Sequence, residues 1–292
     1  MFQIISDGSC DLSAADKEQL EVFVIPCYIT FDEINYLKEG IDIQRDEYFE
    51  KLKTEKELHP KTSQPSPADY LDAYTPFLRE GKDLLVVTMA SKISGSNNSA
   101  RIAAEMAMDD FPERKIEIVD SINATLGQGL LVREIVRMRE NGLYVEQAAD
   151  KARKVALTTK QYFTIDSLEF LKRGGRISST KAIVGGVLGI KPILEIKDGE
   201  VAQLDKVRGN AKAMKFLEDK FLEDLQALNK SDISVGVAHI LMEEEAVELD
   251  KKASEFLERP LDYDISFVGA TIGTHTGPGA ITIAYCTKYE KV

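Results

Sequence analysis

Apolar and polar positions alternate along this chain in two distinct regimes. In the first regime, short apolar runs recur between small polar loops and stretches of helical spacing. Residues 84–88, LLVVT, are apolar and partly β-branched, the pattern of a strand buried on both faces of a parallel sheet. The run breaks into Ser91, Ser94, Gly95, Ser96, Asn97, Asn98 and Ser99, then resumes at helical spacing as SARIAAEMAM. The same order recurs elsewhere. FQII at 2–5 opens into SDGSCDL, and VFVIPCYITF at 22–31 is extended but interrupted by Pro26. FDEINYLKEG suggests a hairpin or flap, and 45–53 has helical spacing. HPKTSQPSPADY reads as a loop in which Ser66-Pro67 opens a helix through about Leu78. KIEIV at 115–119 is a further strand, and helices fit 123–141 and 144–157. Strand, loop and helix in repetition predict an α/β domain with a doubly wound parallel sheet over residues 1–157.

From residue 158 the pattern changes. QYFTI is a strand, and 167–190 reads as short helices broken by glycines. KPILEI, the Asp198-Gly199 pair and EVAQLDKV predict a hairpin whose turn projects from the second domain. An amphipathic helix at 209–228, a strand at 233–240, an acidic helix at 243–258 and a strand at 262–268 follow. TIGTHTGPGAITIAYC closes the chain as loop and strand. Hairpins mixed with helices predict an α+β second domain with a mixed sheet over 158–292.

Composition narrows the partners. The 292 residues leave room for two cores. A net charge of −12, with Lys and Arg dispersed, provides no basic stripe for nucleic acid and limits contact with an anionic membrane to transient encounters. Cys10, Cys27 and Cys286 form no CxxC pair, which fits reduced, buried thiols better than a disulfide frame. The N-terminal residues carry no basic segment and meet Asp7 early, unlike a signal peptide, and no apolar run approaches the ~18 residues of a membrane helix. The expectation is a cytoplasmic protein.

Known cofactor and catalytic patterns fail. Gly127-Gln128-Gly129 continues as LLV without the third glycine of a dinucleotide fingerprint, and GGRISSTK has the wrong spacing for a phosphate-binding loop. There is no nucleophile elbow. No two His or Cys have ligand spacing, so no metal is expected. His59 reads as solvated and His239 as a packed core histidine. His275 differs: GTHTGPGA frames one imidazole in threonines and glycines, which permits close approach of a ligand or of another backbone. The stretch around Ser94, Gly95 and Ser96 sets hydroxyls at a helix N-terminus, where unpartnered N–H groups and the helix dipole favour an anion; the plain alternative is an N-cap. Prolines stiffen the loop holding Thr62 and Ser63. Arg173 and Arg176 in LKRGGR are either surface charges or anchors for a carboxylate or phosphate.

Taken in order, SDGSCDL, TSQPSPADY, SGSNNSAR, VDS at 119–121, LEFLKRGGRIS, KPIL with DG and KVRG, and GTHTGPGA resemble the DegV family over nearly the whole chain. The resemblance implies a two-domain α/β fold that holds one long-chain fatty acid, such as hexadecanoate, between the domains. Members of that family include the fatty-acid-binding B subunit of bacterial fatty acid kinase. By this resemblance the carboxylate lies at Thr62 and Ser94, with Ser63, Gly95, Ser96, Arg176, His275 and Thr276 near it. Arg208, and Arg173 with it, would dock the ATP-binding kinase subunit. The chain departs from the family pattern at Gly8 and at Asn97-Asn98. The residues themselves agree with a binder: hydroxyl loops and a helix start accept a carboxylate without a clear nucleophile–base pair. The alternative is a hydrolase using a serine and His275 on an acyl or phosphoryl substrate, with Asp7 or Asp120 orienting the imidazole.

Overall fold

The apolar runs become strands, and their alternation decides which layer each side chain enters. In the computed structural model, residues 2–55, 57–177 and 189–292 are described. The first part runs β1 (Gln3–Asp7), α1 (Ala14–Gln19), β2 (Val22–Ile25), β3 (Tyr28–Thr30), β4 (Leu37–Lys38), α2 (Arg45–Thr54), β5 (Lys61–Ser63), α3 (Pro67–Arg79), β6 (Leu84–Thr88), α4 (Ser96–Asp110), β7 (Ile116–Asp120), α5 (Thr125–Glu140) and α6 (Val145–Thr158). The second runs β8 (Lys160–Thr164), α7 (Glu169–Gly174), β9 (Ile190–Lys197), β10 (Glu200–Arg208), α8 (Asn210–Leu225), β11 (Ile233–His239), α9 (Glu243–Leu257), β12 (Ser266–Phe267), α10 (Ala270–Thr276) and β13 (Ile281–Thr287).

β2, β1, β6 and β7 form a parallel sheet in that order, the doubly wound arrangement expected. Leu84 and Val86 face α3 and α4, whereas Leu85 and Val87 face α5 and α6. A strand buried on both faces needs that unbroken apolar run. The second sheet is mixed, in the order β10-β9-β8-β13-β11-β12. Ile281, Ile283 and Tyr285 of β13 point to α8 and α9, and Ala284 and Cys286 point to the α5 side. The result is five layers: α3/α4, parallel sheet, α5/α6, mixed sheet, α8/α9. α5 is buried nearly all round because it lies between two sheets, and its buried Gln128, Glu134 and Arg139 are held by hydrogen bonds. Gly236 lets β11 approach it, since a Cβ there would press on Leu126.

Several expectations change. Pro26 divides 22–31 between two sheets, because β2 joins the parallel sheet while β3 pairs with β4 and β5. Lys61–Ser63, read as loop, is therefore a strand, recruited by the free edge of β3. The GTHTG segment, also read as loop, is helix α10. Its glycines and threonines are poor helix formers, but the Glu39 carboxylate accepts the Ala270 and Thr271 N–H groups and Asp11 accepts that of Gly269. The strand at 262–268 contracts to Ser266–Phe267. The Asp198-Gly199 turn projects from the mixed sheet, but against the first part of the chain: Gly199 is buried, and a Cβ there would touch Ala90, Lys92 and Ile122. Of the glycine-broken helices, α7 is present and 178–188 lies outside the described residues.

Candidate ligand-binding site

A cavity lies beyond the carboxyl ends of β6 and β7 and under the β9–β10 hairpin. Ligands of open α/β sheets bind at such strand ends. Its walls come from both sheets: Met89 and Ile93 follow β6, Phe163 lies on β8, Ile196 and Val201 on the hairpin, and Leu171 on α7.

One wall is polar. Thr62 of β5 and His275 in the last turn of α10 share a hydrogen bond of 2.7 Å between Oγ1 and Nε2. Ser94 precedes α4; its Oγ accepts the Ser96 N–H at 3.2 Å and lies 3.3 Å from the Ser96 hydroxyl. Arg176 follows α7, and its guanidinium donates to the carbonyls of Ile93 and Gly174. Thr62, Ser63, Ser94, Arg176, His275 and Thr276 all line the cavity.

Gly95 and Ser96 do not line it. Gly95 is exposed at the start of α4 and packed under the Gln64 amide, whereas Ser96 is fully buried. Arg173 and Arg208 also lie outside the cavity. Arg173 is exposed and hydrogen-bonded to His59 Nδ1 at 2.7 Å, so His59, though exposed, is engaged. Arg208 is exposed at the end of β10. His239 is the core histidine expected, buried, with Nδ1 accepting the Met242 N–H.

Burial pulls the His275 pKa down to about 4, and the Arg176 guanidinium adds to the effect. The ring is neutral at pH 7. Its Nδ1 is buried without a hydrogen-bond partner among the described residues and faces Gly174, where a Cβ would overlap it. The two acids suggested as orienting groups are engaged elsewhere. Asp7 accepts from Ser9, Gln128 and the Met89 N–H. Asp120 accepts from the backbone N–H groups of Ser91 and Ile122. Thr62 and His275 thus have the spacing of a nucleophile and base, but the base is weakly basic and, among the described residues, lacks a carboxylate behind it. Hydroxyls, a neutral imidazole and a guanidinium at one wall, with apolar side chains beyond, suit an amphiphilic anion.

Gln64, Gln161, Thr125 and Thr271 also line the cavity and were not singled out in the sequence. Thr271 stands four residues before His275, the spacing of one helix face, a signal hidden while that segment reads as a loop.

The DegV family profile, described as an uncharacterised protein family, matches residues 1–288. The chain belongs to the DegV family. A DegV domain-containing protein of Caldanaerobacter subterraneus subsp. tengcongensis is 32% identical over 285 residues, covering 98% of each chain. Among solved structures, a stearic acid-binding protein from Eubacterium ventriosum is 34% identical with a TM-score of 0.94, covering 100% of each chain. DegV of Bacillus subtilis, a fatty acid binding protein, is 27% identical with a TM-score of 0.85, covering 98% of this chain and 99% of its own. In this DegV chain the SDGSC motif is structural: the buried Asp7 ties the end of β1 to Met89 after β6 and to Gln128 of α5. The two departures are accommodated. A Cβ at Gly8 would come within 3.1 Å of the Cys27 nitrogen, and Asn97 donates to Thr88 Oγ1 at 2.9 Å.

Proposed function

We propose that this protein binds one long-chain fatty acid such as hexadecanoate and presents its carboxylate to the ATP-binding subunit of a fatty acid kinase for acyl-phosphate formation. The carboxylate sits at Thr62 and Ser94, with Ser63, Arg176, His275 and Thr276 around it. The acyl chain runs along the apolar walls between the two domains, 1–157 and 158–292. Arg208 and Arg173 meet the kinase. The protein works in the cytoplasm without a cofactor and does not itself transfer phosphate. The observation that carries this reading is the convergence of Thr62, Ser94, Arg176 and His275 on one wall of a cavity that is otherwise mainly apolar.

Magnitudes divide the labour. About fifteen methylenes at ~0.8 kcal/mol each give an upper bound of roughly 12 kcal/mol for burying the tail. Each hydrogen bond to the charged head contributes about 1.5–3 kcal/mol. The tail therefore dominates affinity, and the head sets orientation.

Native mass spectrometry of freshly purified protein tests the reading, with organic extraction to identify the bound molecule. A bound mass of fatty-acid size is expected. Protein that is empty, takes up no hexadecanoate and turns over aryl esters would replace the carrier with a Thr62–His275 hydrolase.

A further inference from the structure

Most hydroxyls lining the cavity have partners. Thr62 is bonded to His275, Ser63 to the Gln64 carbonyl, and Ser94 to Ser96. Thr276 donates to Ile272 O and Thr282 to Tyr162 O. Thr125 and Thr271 are the exceptions. Each residue is 5% exposed, and each Oγ1 is buried without a hydrogen-bond partner among the described residues. The cause is local. A threonine inside a helix satisfies its hydroxyl on the carbonyl four residues back, as Thr274 does on Ala270 and Thr276 on Ile272. Thr125 and Thr271 stand in the first turns of α5 and α10, so the residues four back are not helical and offer no such carbonyl. Glu39 accepts the Thr271 N–H. Thr125 lies beside Asp11, which accepts the Gly269 N–H and whose Oδ2 is likewise buried without a partner among the described residues. The Thr125 hydroxyl is close enough to lower the pKa of that carboxyl, yet not in hydrogen-bonding geometry. Valine would fill either position at the same volume without leaving a polar atom unpaired.

We propose that Thr125 and Thr271 form a second polar subsite in the cavity wall, which accepts a hydroxyl or oxo group on the acyl chain. The protein then selects oxygenated long-chain fatty acids over plain ones. Thr271 precedes His275 by four residues, roughly 6 Å along α10 at about 1.5 Å per residue. The oxygen recognised is therefore close to the carboxylate end. The inference rests on the fatty-acid reading above and adds to it the class of chain.

The test uses the full chain stripped of lipid and measures affinity for octadecanoate, 3-hydroxyoctadecanoate and 12-hydroxyoctadecanoate by competition. Wild type should prefer the 3-hydroxy acid over octadecanoate by about tenfold, the weight of one hydrogen bond. In Thr271→Val and Thr125→Val/Thr271→Val that ratio should fall to one or below. A ratio cancels any general loss of affinity, and thermal melting confirms that the variants fold. No 3-hydroxy preference in wild type, an unchanged ratio in the variants, or a gain confined to the 12-hydroxy acid overturns the subsite. Octadecanoate binding with no such ratio sinks the subsite alone, whereas failure of all three acids to bind wild type sinks the carrier reading beneath it.

Discussion

His275 should impose a pH dependence on the stability of the lipid-free protein that His275→Gln removes. Burial and Arg176 take its pKa from 6.5 to about 4 in the folded state. A depressed histidine binds its proton more weakly when folded than when unfolded. Its contribution to stability is therefore intact above pH 6.5, declines as the pH falls towards about 4, and is constant below that. The full gap corresponds to on the order of 3 kcal/mol, an upper figure because the ring is not wholly shielded from solvent. Glutamine retains a partner for Thr62 but cannot titrate. Urea unfolding of both proteins between pH 7.5 and 4.5 gives the difference. Asp11, whose carboxyl is pushed up to about 8 by burial, acts with the opposite sign in the same range and cancels between the two proteins. Wild type should lose on the order of 2–3 kcal/mol more than the variant over that interval. Parallel curves would refute the picture of a buried imidazole whose Nδ1 has no partner among the described residues. The lipid must be stripped first, because a bound carboxylate would raise the ring's pKa and reverse the trend.

Three further outcomes are expected. Thr62→Ala/Ser94→Ala should keep its melting temperature within a few degrees while kinase-dependent acyl-phosphate formation falls; full activity in the double variant would place the carboxylate elsewhere. Hexanoate should bind at least about a hundredfold more weakly than hexadecanoate, since ten methylenes are worth roughly 8 kcal/mol at most, and equal affinities in a displacement assay would point to a small-anion site. Arg208→Ala should retain its bound lipid and its melting temperature but lose activity with the kinase, with lysine restoring only part because it lacks the planar fork. Loss of lipid together with activity would move Arg208 into the pocket, and unchanged activity would remove it from the docking surface.

What the sequence made readable was the periodic part. LLVVT, KIEIV and the long helices fell within a few residues of their positions because burial on one or both faces writes itself into spacing. Ser66-Pro67 marked the start of α3, and Asp69 completes a capping box there. Segments held by distant partners were not readable. β5 is a strand only because β3 offers an edge, and α10 is a helix only because Glu39 and Asp11 cap it from elsewhere in the chain. The same limit applies to the site. Thr62 stood out by the prolines of its loop and Ser94, Arg176 and His275 by their small-residue surroundings, but the Thr62–His275 bond joins residues 213 positions apart. Thr125 carried no local mark, and the helical spacing of Thr271 to His275 was hidden while that segment read as a loop.

Helix α10 shows how such a site can be rigid without strong local sequence. Its seven residues are too few to be helical alone, so its order must come from outside. The small β4-β3-β5 sheet supplies it at both ends. Glu39, immediately after β4, holds the first N–H groups of α10, and Thr62 on β5 holds His275 in the last turn. Between them, the Tyr48 hydroxyl bonds to Thr274 at 2.7 Å, and Gly273 admits the Phe49 ring. The segment that reads as a flap is thus a clamp, with Thr62 and His275 fixed to each other before any ligand arrives. Prior fixation matters most for the weaker part of the interaction. A tail gains affinity wherever it finds apolar wall, but the few hydrogen bonds to a carboxylate can orient it only if the ordering cost of their side chains has already been met.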